Sequence, residues 1–209
     1  LAARLDHQQV IEIDRHIVAQ LHSAFPAGQY TVPEGDPLRF DFSALGPRLR
    51  VVGNLPYNIS TPLLFHLAQH AAAILDIHVM LQKEVVERMV AAPSTSGYGR
   101  LSVMLQYRFE MEKLLDVPPA AFRPAPKVES AVLRMTPFAR LPHPVRNETA
   151  FGKIVAAAFS QRRKTLRNAL QDHFRGADFE KLGVDAGLRA QDLRVADFVR
   201  LADYAVETD

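Results

Sequence analysis

The stretch Leu49-Arg50-Val51-Val52-Gly53-Asn54-Leu55-Pro56-Tyr57-Asn58 decides how the rest of the chain is read. Its first half is a short apolar run, suited to a strand buried on both faces of a parallel sheet. Asn54 and Pro56 break that strand, and Ser60 or Thr61 then offers a cap for a helix whose first residue is Pro62. Leu63, Leu64, Leu67 and Ala71 continue at helical spacing. The turn between strand and helix falls where α/β sheets hold ligands, beyond the carboxyl end of a strand.

Working outward, the alternation repeats. Gln9 to Asp14 predicts a strand with Glu12 near its end, and Arg15 to Ala24 predicts its helix, through Ile17, Val18 and Leu21. Phe25-Pro26-Ala27-Gly28 is turn-rich and leads to Gln29–Val32 and then Gly35-Asp36. Ile77 to Leu81 predicts the next buried strand and Lys83 to Ala91 its helix. This order predicts an α/β fold, a parallel sheet with helices on both faces. Residues 92–99 have the composition of a mobile loop. Val117 to Lys127 is too dense in proline for regular structure, and a strand resumes from Val128 to Met135. Prolines 137, 142 and 144 mark a linker. Beyond it Phe151, Ile154, Val155, Ala158 and Phe159 keep an amphipathic helical period. The division predicted is therefore residues 1–138, a linker at 139–147, and a small all-α domain over 148–209.

Composition narrows the chemistry. The 209 residues are 48% hydrophobic and 23% charged, with no cysteine, which excludes disulfide scaffolds, cysteine-ligated zinc and thiol nucleophiles. No apolar run approaches the roughly 20 residues that cross a bilayer, so a soluble protein without membrane contact is expected. Net charge is only +2, and residues 1–138 balance at 13 basic against 13 acidic. Bulk charge thus announces no nucleic-acid partner. One local cluster stands out, Arg162-Arg163-Lys164 with Arg167, placed on the polar side of the first helix of the second domain. It reads as a solvated face, or as a grip on phosphates or on the first domain. His66 and His70 have a metal-pair spacing, yet Leu67-Ala68-Gln69 lies between them and no third ligand is evident, so no metal is expected.

Asn54-Leu55-Pro56-Tyr57 suits chemistry on an exocyclic aromatic amine. Such a nitrogen has its lone pair drawn into the ring, so a site must grip its N–H groups with acceptors and let it become tetrahedral. The Asn54 side-chain oxygen and the carbonyl of Leu55 or Pro56 are such acceptors, and Tyr57 offers a flat face for a base. The same four residues also suit an ordinary strand-ending turn.

Four stretches together carry a resemblance. Gly53-Asn54-Leu55-Pro56-Tyr57-Asn58-Ile59-Ser60-Thr61-Pro62, Leu81 to Arg88, Val117 to Ser130 and Phe159 to Asn168 closely resemble, in order and spacing, the ribosomal RNA adenine N6-dimethyltransferases. Within that group the chain looks most like the bacterial small-subunit, kasugamycin-sensitivity enzymes. The resemblance implies a Rossmann-like class I methyltransferase sheet with a small helical C-terminal domain, acting in the cytoplasm as a monomer on the rRNA of the small ribosomal subunit. It implies S-adenosyl-L-methionine as methyl donor, with Glu12 on the ribose hydroxyls and Asp36 on the adenine amino group of that cofactor, and Asn54 also among the residues that bind it. Asn54, Leu55, Pro56 and Tyr57 would hold the target adenine, and Phe122 would close on it from another side. Arg162, Arg163, Lys164 and Arg167 would meet RNA. Large-subunit methyltransferases of the macrolide-resistance type share the Asn-Leu-Pro-Tyr pattern, and a non-catalytic assembly factor on the same fold is a third reading. The chain opens on Leu1-Ala2-Ala3-Arg4-Leu5-Asp6 and holds no G-x-G-x-G loop, so the family's first strand is expected to be missing from it and cofactor binding to be weak.

Overall fold

The computed structural model describes residues 8–24, 30–32, 35–161 and 163–208. Leu1 to Asp6 and the turn at 25–28 lie outside the described residues. A two-stranded parallel ladder, β1 (Gln8–Gln9) with β2 (Tyr30–Thr31), is connected through α1 (Arg15–Ala24). The main sheet contains β3 (Leu49–Asn54), β4 (Ile74–Gln82), β5 (Phe109–Val117) and β6 (Ser130–Pro137), in the spatial order β3-β4-β6-β5. α2 (Ser60–Gln69) joins β3 to β4, and α3 (Lys83–Val90) and α4 (Arg100–Gln106) join β4 to β5.

The sheet is mixed instead of wholly parallel. β3 and β4 run parallel, while β6 is antiparallel to both β4 and β5. Its consecutive strands β5 and β6 are joined only by residues 118–129, a connection suited to antiparallel neighbours. Leu63, Leu64 and Leu67 of α2 and Val86 and Met89 of α3 pack with Ile77, Val79 and Leu81 of β4 and with Leu133 and Met135 of β6. Full burial of each such side chain contributes about 1.5–3 kcal/mol relative to exposure.

Several local expectations are corrected. β3 is not buried on both faces: Val51 packs on the core, but Val52 is 57% exposed. Among the described residues β3 is an edge with only β4 beside it. The first strand is two residues long, not six, although Val10 N still donates to Thr31 O at 2.9 Å; beyond it Glu12 Oε1 captures the backbone N–H groups of Ile13 and Asp14 and turns the chain out of the ladder. Asp14 then starts α1, accepting from His16 N at 2.8 Å. α2 begins at Ser60, whose hydroxyl donates back to Tyr57 O at 3.0 Å and caps nothing. Pro62 still falls within the first turn, where a missing N–H is harmless.

The C-terminal helices are α5 (Glu148–Ser160), α6 (Leu166–Ala169), α7 (Gly176–Leu182) and α8 (Val195–Thr208). Asn147 caps α5 by accepting from Ala150 N at 3.0 Å, and Gly183, in the left-handed region at φ 62°, ends α7. Phe151, Ile154, Val155, Phe179, Phe198 and Leu201 form a second core, which Tyr98, Val103 and Tyr107 enter from around α4. Residues 92–99 are consequently pinned, not mobile. Tyr98 is 2% exposed and Ser94 N donates to Gln191 O at 2.8 Å. Within 139–147, Val145 N reaches Tyr107 Oη at 3.3 Å and Arg146 N reaches Asp203 Oδ1 at 2.8 Å.

Candidate active site

β3 delivers the motif. Its last residue, Asn54, pairs with Met80 of β4, and Leu55 N extends the ladder by donating to Met80 O at 3.2 Å. The Leu55 side chain turns into the core, and a Cβ at Gly53 would lie 3.0 Å from Leu55 Cδ2, so a side chain there would have to displace it. The backbone then turns, with Ile59 N donating to Pro56 O at 3.2 Å. That bond separates the two candidate carbonyls. Pro56 O is engaged in the turn, whereas among the described residues no donor reaches Leu55 O. The Asn54 amide likewise has no hydrogen-bond partner there. Two neutral acceptors, Asn54 Oδ1 and Leu55 O, are therefore available side by side in the chain.

Asn54, Leu55, Pro56 and Tyr57 line one cleft of about 290 Å³ together with Phe122, Pro124 and Pro126. Sixty-five positions separate Tyr57 from Phe122 in the sequence, and the sheet closes that gap by placing β6 directly beside β4. A larger cavity of about 540 Å³, lined by Tyr98, Gln106, Tyr107, Phe138, His143 and Arg194 among others, lies against the helical core and contains none of these motif residues.

Glu12 and Asp36 are brought together elsewhere, since Gly35 N donates to Glu12 O at 3.4 Å. Glu12 Oε1 holds Ile13 N at 2.8 Å and Asp14 N at 2.9 Å. Asp36 Oδ1 accepts from Leu38 N at 2.9 Å, with Arg39 Nε 3.9 Å from its other oxygen. Each carboxylate is thus oriented through one oxygen and keeps lone pairs on the other. An acceptor-only oxygen with two lone pairs suits a vicinal diol, and the second acid suits an amino donor, so this pair fits a nucleoside-bearing cofactor.

Arg162 lies outside the described residues. Arg163 and Lys164 do not sit on the polar side of α5: that helix ends at Ser160, and they occupy the turn after it, with Arg167 on α6. The turn is held by Leu166 N to Leu188 O at 2.8 Å and Arg167 N to Ala186 O at 3.1 Å. All three cations are exposed, and none forms an ion pair among the described residues. His66 Nε2 is 2.8 Å from Phe40 O, and His70 Nδ1 is 3.5 Å from Asp41. Among the described residues no three His, Asp or Glu side chains cluster as a metal site, and no helix is long and apolar enough to cross a membrane.

Reading the sequence gave no role to a set of residues beside the cleft. Ser130, buried at the start of β6, places Oγ 3.0 Å from Tyr57 Oη. Lys83, the first residue of α3, places Nζ 2.9 Å from Glu129 Oε2 and 3.2 Å from Asp116 Oδ2. Those two carboxylates hold the Lys83 ammonium far above the usual lysine range, and Lys113 and Lys83 hold Asp116 below the usual carboxylate range. Lys83, Glu129 and Ser130 fall inside the stretches that carry the resemblance, which was the available clue.

The family model for ribosomal RNA adenine dimethylase matches residues 1–207. A ribosomal RNA small subunit methyltransferase A from Aromatoleum aromaticum is 58% identical over 204 residues, covering 98% of this chain and 77% of the relative. Its counterpart in Thiobacillus denitrificans is also 58% identical over 204 residues, covering 98% and 80%. Among solved structures, a dimethyladenosine transferase from Plasmodium falciparum superposes with a TM-score of 0.74 at 25% identity, over 92% of this chain and 79% of that one. The 23S rRNA methyltransferase ErmE gives 0.71 at 23% identity, over 97% and 83%, a likeness of fold.

Proposed function

The chain belongs to the ribosomal RNA adenine dimethylase family, and from that premise we propose that it transfers methyl groups from S-adenosyl-L-methionine to N6 of two adjacent adenines in small-subunit ribosomal RNA. The observation that carries this reading is the convergence of Asn54, Leu55, Pro56, Tyr57 and Phe122 on one cleft at the end of β3. Asn54 Oδ1 and Leu55 O accept from the adenine amine, while Tyr57 and Phe122 bracket the ring. Pro56 serves by fixing the turn that leaves Leu55 O available.

The cofactor supplies a methyl group already activated on a sulfonium, so the chain need provide no nucleophile and no metal. Glu12 would take the ribose hydroxyls of the cofactor through its uncommitted oxygen, and Asp36 would take its adenine amino group through the oxygen that faces Arg39. As N6 takes the methyl carbon in line, the bond from that carbon to sulfur would break and leave a neutral thioether, while positive charge passes to the nitrogen, where the Asn54 and Leu55 acceptors and the Tyr57 π-face would stabilise it. The methylated nitrogen is acidic enough to lose its proton to water. A neutral acceptor pair still holds an amine with one N–H, which permits a second transfer. The target base must leave its stack to enter the cleft.

The catalytic part is residues 1–138, joined through 139–147 to the helical part 148–209. Arg163, Lys164 and Arg167, with Arg162, contribute phosphate contacts. The partner is the small ribosomal subunit, met by a cytoplasmic monomer. Tritiated methyl transfer tests the function: label should enter undermethylated small subunits and, on digestion, appear as dimethyladenosine. Incorporation only into large-subunit RNA, or none anywhere, would refute it.

A further inference from the structure

The loop that carries Phe122 leaves and rejoins the sheet at a single point. β5 and β6 pair as Asp116 with Ala131 and Val117 with Ser130, and residues 118–129 extend beyond that last pair. Lys83 stands at this neck. Its ammonium bridges Asp116 on the outgoing strand and Glu129 on the returning one, and its backbone N–H donates to Glu129 O at 2.9 Å. The next residue, Ser130, reaches across to Tyr57 Oη. A continuous set of contacts, Asp116 to Lys83 to Glu129 and through the backbone to Ser130 and Tyr57, thus ties one wall of the cleft to the other. Half-exposed ion pairs such as these add little to folding stability. Their place at the neck of the Phe122 loop gives them a different use.

We propose that Lys83 and Ser130 are positioning residues, which set the gap between the Tyr57 ring and the Phe122 loop to the thickness of one extruded base. This rests on the reading of the cleft as the target-adenine site. Ser130 acts through the Tyr57 hydroxyl, which stops the ring from swinging into solvent; Lys83 acts by closing the neck, so that Phe122 faces Tyr57. Neither touches the reacting atoms. A displacement of about 1 Å in a bound reactant can cost up to roughly 100-fold in rate, so loss of either restraint should slow the chemical step more than it weakens cofactor binding.

The test uses the full chain with undermethylated small subunits and tritiated S-adenosyl-L-methionine. Tyr57→Phe, which removes only the hydroxyl from a partly exposed ring, and Ser130→Ala should each lower kcat roughly tenfold with the cofactor KM unchanged. The double variant should be no slower than either single one, because both remove the same bond. Lys83→Met should lower kcat by a similar factor, and Lys83→Arg, whose fork can still bridge two carboxylates, should recover most of it. Wild-type kcat in Tyr57→Phe, or additive losses in the double variant, would overturn the role of Ser130. Wild-type kcat in Lys83→Met, or equal losses in Lys83→Met and Lys83→Arg, would overturn that of Lys83. Should Ser130→Ala fail to fold, Tyr57→Phe and the Lys83 pair still decide. A wild-type chain that labels no small subunits removes the functional reading and this proposal together, whereas an active wild type with unaffected variants removes the positioning roles alone.

Discussion

The main sheet and the ladder at the start of the chain hold the proposed target-base and cofactor residues by different means. β4 and β6 bury Ile77, Val79, Leu81, Leu133 and Met135 completely, and the acceptors at Asn54 and Leu55 project from the end of that slab. β1 and β2 share two residue pairs, and Ile13 and Ile17 beside them are 65% and 42% exposed. There the placement of Glu12 and Asp36 depends on short hydrogen bonds to neighbouring backbone. The residues proposed for the target base are therefore held by a core, and those proposed for the cofactor by local turns. Rigid elements hold a constellation to tighter tolerance than turns do.

The sharpest way to break this comparison is to remove core from each half. Leu81→Ala should cost about 2–5 kcal/mol in denaturant unfolding, while Ile17→Ala should stay within about 0.5 kcal/mol. Equal costs would show that the ladder is packed as firmly as the sheet. Next in size is the kinetic contrast. Asn54→Ala should lower kcat on the order of 100-fold, and Glu12→Ala should instead raise the cofactor KM roughly tenfold with kcat kept. If Glu12→Ala lowered kcat alone, the two halves would not divide the work as described.

A smaller effect separates the sheet core from the helical core. Burial pushes the phenols of Tyr98 and Tyr107 up, and the sheet core contains no tyrosine among the described residues. A raised folded-state pKa favours the neutral form in the folded chain. Its stabilising contribution is complete below the ordinary tyrosine pKa of about 10 and is lost as pH rises through the folded value. Near-UV circular dichroism above pH 10 should therefore show the helical part loosening first, and Tyr107→Phe should blunt that loss. Smallest of all is the response of the exposed basic turn. Charge reversal at Arg163 and Arg167 should reduce the slope of log K for RNA against log salt by about one for each lost phosphate contact. An unchanged slope would leave these cations as a solvated face.

Much of this was legible because it is local. The strand–turn–helix around Asn54 and the acidic residues after short β runs are written in consecutive residues, and their positions follow from spacing alone. What escaped depends on distant partners. Burial of Val52 is a question of what lies beside β3. Residues 92–99 look loose by composition, yet Tyr98 is fixed by helices that begin fifty residues later. The basic cluster was misplaced by one turn because the end of α5 is set by the docking of residues 165–167 against 186–189, a pairing with no sequence period. Ser130 and Lys83 gave least of all, since a lone serine and a lone lysine acquire meaning only once Tyr57 and Glu129 stand beside them.

The last register pair of β5 and β6, Val117 with Ser130, bears on how this protein can change. Everything between those two residues is a hairpin insert whose length is free of the strand pairing beneath it. Apart from Phe122 and Glu129, its residues and its length can vary without shifting any core side chain from one face of the sheet to the other. One wall of the cleft is thereby open to variation while the wall built on β3 stays fixed. A lineage, or an engineer, can thus vary the rest of this insert while the strands beneath it stay in register.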